Sequence, residues 1–174
     1  MTSVDRWIPL LIVALVGCER LAELVISHRN QARLLARGGF EVGANHYPFM
    51  VALHMAWIAS LMLWALLALP RVCIPALVAY LFVQGLRAWV MATLGPYWTT
   101  RIITVPDAPL IVRGPYRFLK HPNYVVVVAE IALLPLALGA WVIAIVFSLL
   151  NAAMLWVRIR AENAALAKRR SGPA

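Results

Sequence analysis

The stretch Gly114-Pro115-Tyr116-Arg117-Phe118-Leu119-Lys120-His121-Pro122-Asn123-Tyr124 gathers an imidazole, a carboxamide, two phenols and two cations within eleven residues. Pro122 suits the first turn of a helix, where its missing N–H would have no partner and its φ is already helical. His121 then falls at the cap. Unpaired N–H groups and the dipole at such an end favour an anionic group, for example the carboxylate of a small charged cofactor. Tyr116 and Tyr124 add aromatic surface that can flank an adenine or a sulfonium. About forty residues later comes Arg158-Ile159-Arg160-Ala161-Glu162-Asn163, in which Arg158 and Glu162 are four apart and share a helix face. The acid can accept ribose hydroxyls and the arginine can hold an anionic acceptor. Taken singly, the first stretch also reads as a helix start with interfacial anchors, and the second as a basic stop to an apolar run.

Other ionisable groups lie inside apolar runs. Glu19, Arg20, Glu23, Arg87 and Glu130 would each cost roughly 2.5–3.5 kcal/mol near a bilayer centre unless paired or wetted. Arg20 and Glu23 can pair three apart on one face, and Glu19 and Glu23 can both look toward Arg87. These read as a structural ion cluster. Glu130, just after the motif, reads equally as a member of that cluster or as part of a substrate pocket. His46 and His54 are eight apart and share a face, but metal pairs usually need i, i+4 spacing and a third ligand. No metal site is expected; the two histidines line an interior face and border the substrate pocket. Cys18 and Cys73 have no CxxC partner and read as apolar filler.

The elements that must position these groups are membrane spans. The 174 residues are 63% hydrophobic and 13% charged, with a mean hydropathy of +0.81, which points to lipid as solvent. Runs near 20 apolar residues occur at Trp7–Ile26, Tyr47–Leu69, Cys73–Leu94, Pro122–Leu138 and Trp141–Arg158. The expected fold is therefore an all-α integral membrane protein of five transmembrane helices. The last two form a hairpin about Gly139-Ala140, with Pro135 near the end of the fourth suggesting a kink. A net charge of +9 does not indicate nucleic acid, because the basic residues cluster between spans. Arg29, Arg33 and Arg37, then Arg101, Arg113, Arg117 and Lys120, then Arg158 to Arg170 fall on one side, leaving Arg6 and Arg71 for the other. The positive-inside rule puts the three clusters and the C-terminus in the cytoplasm and the N-terminus outside. The first run lacks a basic lead and a cleavage site and reads as a retained span. One domain, residues 1–174, is expected. Its proline-rich 95–121 loop has the character of loops that carry function.

At these residues the chain resembles the isoprenylcysteine carboxyl methyltransferase family, which shares its core with phospholipid methyltransferases. The resemblance rests on G-P-Y-x-x-x-x-H-P-N-Y followed by R-x-x-x-E, and its clear part covers about residues 95–166. Glu41, Gly43, His46, Tyr47 and His54 also look like a bacterial branch, some of whose members are thought to O-methylate alkylpyrone-type lipids. The resemblance implies a cytoplasmic pocket for S-adenosyl-L-methionine in a bacterial cytoplasmic membrane enzyme. The family's cofactor contacts fall on Tyr116, on His121, Pro122, Asn123 and Tyr124, and on Glu162. Further upstream they fall on Ala108, Pro109, Leu110 and Ile111, and on Arg101. The acceptor-orienting role falls on Arg158. The acceptor implied is lipophilic: a small molecule, a prenylated group or another lipid of the membrane. Asn163 stands where many members have a second Glu, and the chain stops at Ala174 without the aromatic extension of the prenylcysteine enzymes. These departures bear on a prenylated substrate and hardly on the cofactor. Two rival readings are an NADPH-dependent sterol or enone reductase, for which the chain is short, and a non-catalytic lipid-binding protein.

Overall fold

The computed structural model describes residues 3–106, 108 and 110–170. Among the described residues there are five α-helices: α1 (Ser3–Ala36), α2 (Tyr47–Ala68), α3 (Ile74–Leu94), α4 (Pro122–Ala137) and α5 (Trp141–Arg170). Between them lie two three-residue strands, β1 (Phe40–Val42) and β2 (Ile102–Thr104). The starts of α2, α3, α4 and α5 agree with the sequence reading to within one residue, because a proline or a turn punctuates each. The outer helices run on past their apolar cores. α1 extends ten residues beyond Ile26 through a segment of good helix formers, and α5 continues twelve beyond Arg158. The strands were not foreseen.

Hydrogen bonds at the two ends of the bundle fix the topology. At one end Cys73 N donates to Ala137 O at 2.8 Å and Trp64 Nε1 to Leu138 O at 2.9 Å, joining the α2–α3 and α4–α5 turns. At the other, Asn30 Nδ2 donates to Trp98 O at 2.9 Å and Thr100 N to Ser27 Oγ at 2.8 Å. There β1 pairs antiparallel with β2, Glu41 opposite Ile103. The basic segments expected on one side of a membrane thus share one end of the bundle.

Among the described residues three helices are long and apolar enough to cross a membrane: Ala44–Ala68, Ile74–Tyr97 and Trp141–Ala165. α4, with 16 residues, is about 24 Å long, short of the roughly 30 Å hydrocarbon core. In α1 the charges of Glu19, Arg20 and Glu23 interrupt the apolar run. Leu11, Leu67, Phe82, Val125 and Leu149 face outward on the five helices, an apolar exterior too extensive for a soluble monomer. The protein is a membrane protein, and the charges of Glu23, Arg87 and Glu130 within its helices are buried. Arg87 on α3 is 7% exposed and pairs on one side with Glu23 and on the other with Glu130 at 2.5 Å. Arg20 reaches Glu23 at 3.0 Å, and Gln84 Nε2 donates to Glu130 at 2.9 Å. The cluster ties α1, α3 and α4 together; its mutual pairing offsets the cost of burial.

Candidate functional site

The motif's first residue explains how its loop reaches the bundle. Gly114 has φ +58° and sits against α3, where an added Cβ would lie 2.5 Å from Thr93 Oγ1; any other residue would be strained and would clash. A short 3₁₀ turn, Gly114–Arg117, follows, and His121 then caps α4 without a side-chain bond to its amides, with Pro122 in the first turn. α5 brings its lower end against this start. Tyr124 Oη donates to Glu162 Oε2 at 2.5 Å, Arg158 Nε donates to Tyr124 Oη at 2.9 Å, and His121 Nε2 lies 3.2 Å from Asn163 Oδ1. His121 Nδ1 is 3.5 Å from Glu162, and its ring stacks on Tyr124 at 5.3 Å. The two stretches that sequence singled out are in direct contact.

The 95–121 loop closes over this junction to form a cleft of about 490 Å³. Arg101 holds the loop's far wall: its Nη1 is 2.7 and 2.9 Å from the two oxygens of Glu41, and its guanidinium lies 3.9 Å over the Tyr47 ring. Tyr116 also lines the cleft. Burial, and then the charge of Glu162, push its phenol above the ordinary value, so it stays an O–H donor at neutral pH. Trp98, 3% exposed, lines the cleft; its Nε1–H has no hydrogen-bond partner among the described residues, nor has Asn123 Oδ1.

A second cavity, of about 120 Å³, adjoins the first across Trp98, Thr99, Asn123, Tyr124 and Arg158, which line both. It opens among α1, α2, α4 and α5; Val51, Met55, Ile58, Met154 and Leu155 supply apolar wall, and Arg20, Glu23 and Arg87 of the ion cluster also line it. Arg158 stands at the junction, 5% exposed. Besides Tyr124 it donates through Nη2 to Thr100 O at 2.6 Å and through Nη1 to Met50 Sδ at 2.8 Å. A thioether is a weak acceptor, so Nη1 is the arm most easily given to a ligand.

A family model described as isoprenylcysteine carboxyl methyltransferase (ICMT) matches residues 72–168, more than half of the chain. The chain belongs to this family. It is also similar to YpbQ of Bacillus subtilis (strain 168), an uncharacterised protein, at 39% identity over 161 residues, which is 90% of this chain and 95% of the relative. No solved structure matches.

Family membership makes this a membrane methyltransferase and directs attention to the matched region, which holds both stretches of the cleft. Of the residues proposed from sequence for the cofactor, Arg101, Ala108, Leu110, Ile111, Tyr116, His121, Asn123, Tyr124 and Glu162 line the larger cleft. Pro122 is buried in the first turn of α4 behind it, and Pro109 lies outside the described residues. Arg158 borders both spaces. The three residues suggested for a substrate pocket separate. His54 lines the smaller cavity. Glu130 lines neither and is taken up by Arg87 and Gln84. His46, in the short turn before α2, lines neither and packs over Gly43. Among the described residues no cluster of three potential ligands for a metal forms. Trp98, Thr100, Met50 and Asn151 were not foreseen. The sequence signal for Asn151 was a lone amide in an apolar span; Met50 carried none.

Proposed function

We propose that the protein is an S-adenosylmethionine-dependent O-methyltransferase whose acceptor is a membrane lipid, either an isoprenylcysteine-like carboxylate or an alkylpyrone-type lipid, used at the cytoplasmic face. The observation that carries this reading is the pair of adjoining spaces: a cleft with both polar and apolar lining at the basic end of the bundle and a mostly apolar cavity among the helices, joined at Arg158. The cleft suits the cofactor. Its volume is in the ordinary range for small-molecule sites. It presents an uncapped helix N-terminus for a carboxylate and the orphaned Trp98 N–H and Asn123 carbonyl for a polar ligand. Glu162 has Tyr124 on Oε2, and Oε1 has no partner among the described residues, leaving it to accept hydroxyl hydrogen bonds. When bound, the cofactor supplies an activated methyl on a sulfonium.

The chain's own part is placement. Arg158 is braced by Tyr124 and by the Thr100 carbonyl, which leaves Nη1 to turn from Met50 to an acceptor oxygen. A charge-assisted bond of this kind fixes the oxygen's position and keeps it anionic. Alignment of the two reacting groups provides most of the rate in a displacement that needs no covalent catalysis. Trp98, Met50 and Leu155 keep water from the junction, which favours charge neutralisation. Membranes containing the protein, given cofactor with a labelled methyl group and lipid extract, should move label into the organic phase. Arg158→Ala should abolish this while retaining S-adenosylhomocysteine binding. Label transfer at the wild-type rate by that variant would remove Arg158 from the chemistry.

A further inference from the structure

The polar side chains that line the smaller cavity include Arg20, Glu23 and Arg87 of the ion cluster; Asn151 and His54 take part neither in that cluster nor in the proposed chemistry. Asn151 on α5 is 2% exposed, lines the cavity, and its amide has no hydrogen-bond partner among the described residues. An amide that meets only apolar side chains is costly, and Met154 and Leu155 beside it in the cavity lining offer no hydrogen bond. His54 on α2 lines the same cavity. Its Nδ1 is 2.9 Å from Met50 O. A carbonyl only accepts, so Nδ1 carries the proton and Nε2 presents a lone pair. No partner for Nε2 is found among the described residues.

Their depth is set by helix geometry. Asn151 and Arg158 are seven apart, hence on one face of α5 and about 10 Å apart along its axis. Met50 touches Arg158, and His54 lies one turn further in, about 6 Å deeper. One donor-and-acceptor amide and one imidazole acceptor therefore face, inward of the arginine, a space whose other lining is mostly apolar apart from the mutually paired Arg20, Glu23 and Arg87. An acceptor with a single oxygen on an alkyl chain would lay hydrocarbon against both.

We infer that Asn151 and His54 form a second recognition point for the acceptor, so that the preferred lipid carries another polar function beyond the oxygen held by Arg158. This rests on the methyltransferase reading. Asn151 gives or takes a hydrogen bond at that function and His54 Nε2 accepts one from a hydroxyl. The pair acts on specificity: a site built to hydrogen-bond a hydroxyl rejects an analogue that lacks it, because its own groups then stay unpaired.

The probes are two lipids with the same tail, 5-pentadecylresorcinol and 3-pentadecylphenol, titrated in one detergent into protein loaded with S-adenosylhomocysteine. The wild type should bind the dihydroxy probe about tenfold more tightly, and Asn151→Leu and His54→Phe should each erase most of that preference while still binding S-adenosylhomocysteine. Asn151→Leu should also raise the melting temperature of the lipid-free protein, since it replaces an unpaired buried amide with a side chain that packs. Equal affinities in the wild type, a preference that survives both substitutions, binding of neither probe, or a lowered melting temperature in Asn151→Leu overturns the inference. Failure to bind S-adenosylhomocysteine appears before any lipid is added; it removes the methyl-donor reading, and the inference with it.

Discussion

Arg87 illustrates what a buried charge requires in this bundle. Two carboxylates, Glu23 and Glu130, take its guanidinium from both sides, and each of them gains a further partner in Arg20 or Gln84. Arg87→Met leaves two acids facing a low dielectric with one cation fewer, a loss of about 3–5 kcal/mol by analogy with other broken buried pairs. The melting temperature in detergent should fall sharply. Adding Glu23→Gln and Glu130→Gln to the same chain should recover most of it. A single variant that melts with the wild type would show that the cluster contributes little. At this scale the sequence was half legible. The partnership of Glu23 with Arg87 followed from spacing and from the cost of isolated charges. Glu130 was readable both as ion-pair member and as pocket residue, and only the packing of α4 on α3 distinguishes the two.

Helices were legible because long apolar runs and punctuating prolines are local signals. The β1–β2 pair was not: three-residue strands show no useful alternation, and their pairing depends on two loops sixty residues apart. Yet this pair positions the cleft. Through Glu41, β1 grips Arg101 at the foot of β2, and Tyr47 stacks beneath the guanidinium, so the loop wall is anchored to the start of α2. Both charges are partly exposed, which keeps the contribution to global stability small; the effect belongs to loop order. Glu41→Ala should weaken S-adenosylhomocysteine binding about three- to tenfold and shift the melting temperature little. Unchanged affinity would mean that the strands hold the loop without the ion pair. The meeting of α4's start with α5's end could be argued beforehand from the short turn at Gly139-Ala140, since a hairpin returns its second helix beside the start of its first.

For the whole molecule, the basic segments collect at one end of the bundle and an apolar exterior surrounds the rest. If that end faces the cytoplasm, the α2–α3 turn faces outward. In a Cys18→Ala, Cys73→Ala background, Arg71→Cys should react with an impermeant maleimide in intact bacterial cells, and Lys120→Cys only after permeabilisation. The reverse pattern would invert the orientation and remove the cleft from the cytoplasmic cofactor. The account depends above all on the cleft between α4 and α5 holding a methyl donor. Calorimetric titration of S-adenosylhomocysteine into the detergent-purified protein tests this most directly. It should show saturable binding that Glu162→Ala and His121→Ala each weaken by about tenfold or more and that Arg71→Ala leaves unchanged. No heat of binding with the wild type, or binding indifferent to both cleft substitutions, would contradict it.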